Sequence, residues 1–546
     1  MKPKFIKSAI SLTRQLLLAV GTVASLAATA HAAAPGITST NGTVATFNLT
    51  AQPAFLNQPD GSSVYSWGYG CVTGSTPSFV PAGMKDAACG TMQVPGPTLV
   101  VTEGQTVHVT LANNLPSAAG NTSILFPGFQ VTSTGGVTGL LTKEAVPTGS
   151  VTYTFIASTP GTHSYYSGTQ GDLQVEMGLY GALIVLPVNV PNACTTGLHS
   201  ANVQAEQAHS ESDFRLPNAS GQVGAAFDHD KTCYDREYLF QFSEMDANVH
   251  NQALAQVTAR GACVAGAAGC SLEVPTEPYH PSYFMINGRS MPDDMDANYE
   301  VEYPHQPYNG NPHMHPGEQV LLRIIGQGRW QHPFHEHANH VRILARDGNL
   351  ILSATNVEDL AGAPLFTTTT TPGQTMDGIF YFTGRGLNWD MYAHHSGADA
   401  ADPLAVGTCV PDSNGYYTVN SNPPAPVAAI NYYEWCQDHN KPLEVNPVGD
   451  VASGGLATLP NPLIFTNGAW YSGSPYLGPD ATTRATGPNT NLLPSNTQAN
   501  PAAERGWAFM WHSHNEREIT TNNVFPGGMM MMMLIDSREF VIDESN

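Results

Sequence analysis

Positive charge is scarce in this chain. Its 546 residues include 21 lysines and arginines against 44 aspartates and glutamates, a formal charge of −23. A surface short of cations gives a phosphate backbone or an anionic bilayer little to hold. Nucleic acid and membrane surfaces are therefore not expected partners. Long apolar runs are missing after the first thirty residues, so no membrane span is expected in the mature chain. No C-x-x-C, G-x-S-x-G, phosphate-binding loop or dinucleotide fingerprint occurs, which removes the best-known routes to thiol, serine-nucleophile and nucleotide chemistry. No short repeat period points to a solenoid.

What is present begins with an export signal. Lys2, Lys4, Lys7 and Arg14 make a basic start, Leu16 to Val20 begin an apolar core, and Ala30-His31-Ala32 fits a cleavage site. The alternative is a membrane anchor, but the run is short for one. Loss of residues 1–32 with those four cations takes the charge from −23 to −27. The expected location is periplasmic, cell-envelope or secreted. Eight cysteines follow, an even number suited to disulfides in an exported protein. Sequential pairing is the simplest arrangement: 71–89, 194–233, 263–270 and 409–436. Metal ligation by these cysteines is the minor reading.

Charged residues total 12%, with 52 glycines and 41 prolines. Short Val-, Thr-, Phe- and Tyr-rich runs between turn residues predict an all-β fold. Thr98–Leu111 reads as strand, turn and strand. Val151–Phe155, Thr162–Tyr166 and Gly181–Leu186 complete a β-sandwich over about 40–188. Pro191–Lys231 reads as a linker or long loop. A second sandwich follows from Glu237–Phe242, Tyr283–Ile286, Gln319–Ile325, His340–Ala345 and Gly378–Thr383. Residues 397–506 are rich in Pro, Gly and Asn, with few strands, notably Leu463–Phe465. They form either a long insert or a decorated third domain, and Trp507–His514 and Met529–Ile535 close the fold.

Two histidine motifs carry the chemistry: His332-Pro333-Phe334-His335-Glu336-His337 and Trp511-His512-Ser513-His514. Residues i and i+2 of a strand face one side, so each His-x-His pair aims two imidazoles into one pocket. Imidazole suits copper, zinc, iron and nickel. The alternative is a set of histidines hydrogen-bonded into a core. Glu336 and Glu516 are candidates for orienting the rings, Glu516 the better placed, or are simply solvated. His313 and His315 share the spacing but lie in a Pro- and Asn-rich loop. His394 and His395 are adjacent, so a regular strand would point them apart. Both sets read as structural. Met529 to Met533 offer soft thioethers, but five methionines in a row also suit a closing core strand.

The chain resembles the multicopper oxidases. The resemblance rests on the two histidine motifs together with Pro95-Gly96-Pro97-Thr98, Asn113-Asn114-Leu115-Pro116, Gly178-Leu179-Tyr180-Gly181 and His315-Pro316-Gly317-Glu318. It implies tandem cupredoxin-like Greek-key β-sandwiches: domain 1 over 38–190, a linker over 191–234, domain 2 over 235–400, and an insert with closing strands over 401–546. It implies cluster ligands at His335, His337, His512 and His514, and a blue-site ligand at His332. It also exposes losses. Leu125, Pro127, Tyr166 and Gly168 stand where four first-domain ligands would be. Ser513 replaces the blue-site cysteine, and Glu518 replaces its second histidine. A serine hydroxyl is hard and weakly acidic and does not replace a thiolate. His332 and Glu518 could instead form a carboxylate–imidazole pair, or an ordinary surface pair.

The expectation is an exported copper-binding oxidoreductase holding one or two copper ions. It would oxidise a small reductant or a metal ion, or run a peroxide-type reaction, in place of four-electron reduction of O₂. The alternative is a non-catalytic metal-binding or structural cupredoxin-fold protein of the envelope.

Overall fold

In a computed structural model, residues 34–39, 42–208, 211–218, 220–382, 473–476, 506–536 and 540–544 are described. The export signal, Cys409, Cys436, His394, His395, Leu463–Phe465 and most of the predicted insert lie outside these residues.

Alternation sets the first half. Thr106–Asn113 and Ser150–Ile156 bury every second residue, as strands with one face on a core do. One five-stranded sheet runs Gly161–Tyr166, Tyr180–Leu186, Gly96–Thr102, Gly36–Thr38, Ser78–Val80. The other runs Ser63–Cys71, Val44–Asn57, Thr106–Asn113, Ser150–Ile156, Thr132–Gly135. A core of Trp67, Tyr69, Val109, Tyr153 and Leu183 draws on both sheets.

Among the described residues, the second half has a seven-stranded and a six-stranded sheet. The larger runs Tyr283–Ile286, Arg236–Met245, Gln319–Gly326, Thr375–Tyr381, Val341–Arg346, Asn349–Leu350, with Pro364–Leu365 beside Val341–Arg346. The smaller runs His313–Met314, Met530–Asp536, Gly506–Ser513, His332–Glu336, Thr367–Thr370, with Gly473–Tyr476 also against Gly506–Ser513. Phe242, Phe334, Phe380, Trp511, Met529, Met531 and Met533 share one core. Alternate members of the methionine run thus fill gaps among aromatic rings.

The halves meet through buried polar bonds. The Arg323 guanidinium reaches Glu237 (2.8 Å) and Asp377 (3.3 Å) in its own sheet. Asp377 in turn accepts from the Thr162 hydroxyl of the first half at 2.6 Å.

Three of the predicted disulfides are present: Cys71–Cys89, Cys194–Cys233 and Cys263–Cys270. Among the described residues, two helices longer than a single turn interrupt the β pattern. Gly197–Ala208 lies in the stretch read as linker or loop, and Ala247–Arg260 follows the strand Arg236–Met245. The second has a local signal that strand reading passes over: Asp246 caps its first turn through the Asn248 N–H, and Gly261 follows its end. Among the described residues, no helix is long and apolar enough to cross a membrane.

Candidate metal centre

The two histidine strands are neighbours in the six-stranded sheet. They run antiparallel, with Phe334 opposite Ser513, His335 opposite His512 and Glu336 opposite Trp511. The pleat then sorts the side chains into two sets. Phe334 and Trp511 face the core, and His335 and His512 face the other side.

On that other side the imidazoles converge. His337 and His514 each lie one residue past a strand end. Ring centroids are 5.0 Å apart for His335–His337, 5.5 Å for His335–His512, 4.7 Å for His335–His514 and 5.2 Å for His337–His512. One nitrogen from each of His335, His337 and His512 falls within 4.8 Å of the others, and all three residues are buried. His514 sits at the edge, its side chain 52% exposed.

The hydrogen bonds fix which nitrogens face inward. His512 Nδ1 lies 2.7 Å from the Ser513 carbonyl. A carbonyl only accepts, so Nδ1 carries the proton and Nε2 keeps its lone pair. That Nε2 is 3.3 Å from His337 Nε2. Two nitrogens each about 2.0 Å from a shared tetrahedral ion would stand about 3.3 Å apart, so this donor pair fits a metal. His335 Nδ1 bonds the Thr367 hydroxyl at 2.6 Å. Burial first, then the neighbouring His514 and His512, lower the His335 pKa to about 4. Burial also lowers that of His512. Neutral rings are what metal ligation requires.

His332 lies apart from the four. It is buried, with Nδ1 2.9 Å from Glu518 and Nε2 2.9 Å from Glu244. Burial opposes its charge, but hydrogen bonds and charge from Glu244 and Glu518 outweigh burial and hold its pKa up to about 9. The pair expected with Glu518 is therefore a buried triad rather than a surface contact. Both ring nitrogens are committed to carboxylates, which departs from the ligand role that the resemblance implies. Ser513 donates its hydroxyl to the same Glu518 carboxylate.

Ser513→Cys is accordingly expected to give no intense blue absorption when copper is added. The thiol would meet Glu518 and a committed His332 in place of two free imidazoles. Visible spectroscopy checks this, and a strong band near that of a copper–thiolate centre would overturn it.

Other predicted residues fall as follows. Glu516 is 3.6 Å from His514 Nδ1, with both side chains more than half exposed. Glu336 is buried, and burial raises its carboxyl well above the usual carboxylate range, with Thr368 donating to it at 3.5 Å. Met530 lies opposite His512 in the sheet register. His313 pairs with Asp536 at 2.6 Å and His315 with Glu211 at 2.8 Å, both buried, as structural histidines do. In the first half Leu125 bridges Tyr166, and a side chain at Gly168 would collide with Leu125 at 2.7 Å. The positions expected to lack ligands are packed against one another. Sequence reasoning missed Thr367 and Glu244. A threonine in a Thr-rich run and a glutamate in a buried strand carry no local sign of a histidine partner.

Residues 78–189 match the multicopper oxidase family. Over 103 residues the chain is 38% identical to a multicopper oxidase from Talaromyces pinophilus, covering 18% of this chain and 16% of that protein. Over 98 residues it is 35% identical to a laccase from Aspergillus fumigatus, covering 17% of this chain and 16% of that protein. The match thus spans about a sixth of the length of each relative. Among solved structures, a blue copper oxidase from Nitrosomonas europaea aligns at 14% identity over 89% of this chain and 85% of that one, with a TM-score of 0.42.

Proposed function

We propose that this chain, whose residues 78–189 match the multicopper oxidase family, is a divergent member of that family and an exported copper-binding oxidoreductase with a reduced copper complement. It acts on a small reductant or a metal ion. The observation that carries the reading is the register of His335 opposite His512, which draws three imidazole nitrogens within 4.8 Å. His335, His337 and His512 would hold the metal, with His514 at the open edge, for one or two ions in all. Cu(II) is favoured over Zn(II) at such nitrogen sites. Copper, when bound, supplies one-electron redox chemistry. The chain's own part is to fix the rings. Ser513 O sets the His512 tautomer, and Thr367 holds His335 by Nδ1. The three disulfides support export to an oxidising compartment.

A second reading has its own support. The packed positions Leu125 and Gly168, and the Ser513–Glu518–His332 bonds, suit a protein that holds metal without turning over.

Elemental analysis of protein exported with copper and zinc both available tests the proposal. One or two coppers are expected in the wild type, lost in both His335→Ala and His512→Ala. No metal in the wild type, or full retention in either variant, would sink the shared site. Copper bound without oxidation of any phenolic, metal-ion or peroxide substrate would select the second reading.

A further inference from the structure

On the seven-stranded sheet, Val341, Ile343 and Phe380 face the core. The alternate residues Arg342, Leu344, Ile379 and Tyr381 face away from it and line a cavity of about 680 Å³. A cavity of that size suits a small organic ligand. Its floor is apolar, from Leu344, Ile379 and Leu360. One wall is flat: the His340 ring stacks on Phe366 with centroids 3.9 Å apart and planes at 26°. Burial lowers the His340 pKa, so this wall is neutral near pH 7.

The cations sit at the mouth. Lys231 is already paired with Asp359 at 2.5 Å. Arg342 is not: it is exposed, and its Nη1 donates to the Gly362 carbonyl at 2.8 Å. Among the described residues no carboxylate forms an ion pair with it. Asp230 also lines the cavity, but it forms no ion pair with Arg342, whose guanidinium stands beside the apolar floor open to a ligand anion in a chain with twice as many acids as bases. A guanidinium presents a planar fork that matches a carboxylate bidentately.

We propose that this cavity is a binding site for a planar aromatic carboxylate, its ring over Leu344 and Ile379 beside His340 and its anion on Arg342. The site is distinct from the imidazole cluster, and the proposal stands whether or not that cluster holds copper.

Calorimetric titration of the full-length protein with trans-cinnamate and with cinnamamide, its uncharged analogue, tests it. Cinnamate should bind at one saturable site, and the amide about tenfold or more weakly, the difference of about 1.4 kcal/mol that one charge-assisted contact supplies. Arg342→Met should bring cinnamate down to the level of the amide and leave the amide unchanged. Arg342 is exposed, so the variant should fold, and its melting curve verifies that. Lys231→Met should cost less, since that lysine has a partner. His335→Ala and His512→Ala should bind cinnamate as the wild type does, which separates this result from that of the metal analysis. Equal binding of acid and amide, no binding of either, or an Arg342→Met variant that keeps the preference would each overturn the assignment.

Discussion

Replacing Arg236 with methionine is expected to destabilise the protein by about 3–5 kcal/mol at pH 7, the cost of breaking a buried ion pair by removing one partner. The Arg236 guanidinium is buried among carboxylates. It bonds Glu318 and Glu544 at 2.6 Å and Glu211 at 2.7 Å, with Glu206 at 4.0 Å. The groups around it show how closely the charge is balanced. Burial raises Glu544 to about 8 against the pull of Arg236, so it is largely neutral at pH 7. Glu206 is also raised well above the usual carboxylate range, again by burial. Glu211 is lowered to about 2, because His315 and Arg236 together outweigh its burial. Methionine fills similar volume but leaves the remaining anions with His315 alone. Glu211, with its folded pKa lowered, contributes stability that is present above about pH 4.3 and is lost as pH falls through about 2. The penalty of the substitution should therefore be smaller at pH 4 than at pH 7, since the carboxylates left behind then take up protons. Urea unfolding at the two pH values measures this. A loss under 1 kcal/mol at pH 7 would show that the network relaxes around the vacancy.

His332 should give the protein a stability that fades in alkali. The imidazolium lies between Glu244 and Glu518, with its pKa up at about 9. The unfolded value is about 6.5. A raised folded pKa means that the stabilisation is complete below about 6.5 and is lost as pH rises through about 9. The difference is on the order of 3 kcal/mol. Wild type and His332→Gln should therefore differ most at pH 6 and least at pH 10. A gap that stays constant across that range would mean the ring is held neutral. This residue is fully buried, so the ion pair is not reduced to the small value of a solvated one.

The contrast between His332 and His335 shows what sequence conveys and what it does not. Two-residue spacing is local, so the pairing of His335 with His337 and of His512 with His514 was legible, as were the strands on which they sit. The sorting of 332 from 335 follows from the same pleat. What was not legible is which strand lies alongside. His335 and His512 meet through a register between distant segments, and nothing near either one encodes it. Glu244 is hidden for the same reason. It lies in Arg236–Met245, ten residues buried throughout, where a glutamate gains its meaning only from the histidine brought to it. Thr367 reads as one of several β-formers until its strand pairs with His332–Glu336. The helix Ala247–Arg260 was missed although its cap is local, because Val249, His250 and Ala253 bury only a narrow stripe between polar neighbours. Three of the cysteine pairs were legible because close sequential partners needed no long-range knowledge.

The pairing of His332–Glu336 with Gly506–Ser513 also sets an order of events during synthesis. Ribosomes deliver the chain from its first residue, and the two five-stranded sheets draw only on residues 36–186. That half is complete in sequence long before residue 506 exists. Until then the first histidine strand has its Thr367–Thr370 neighbour on one side and an open edge on the other. Such non-local closure is slow compared with local folding. A nascent chain therefore carries half of the histidine cluster next to an unsatisfied sheet edge, and that interval is when it is most exposed to pairing with a wrong strand.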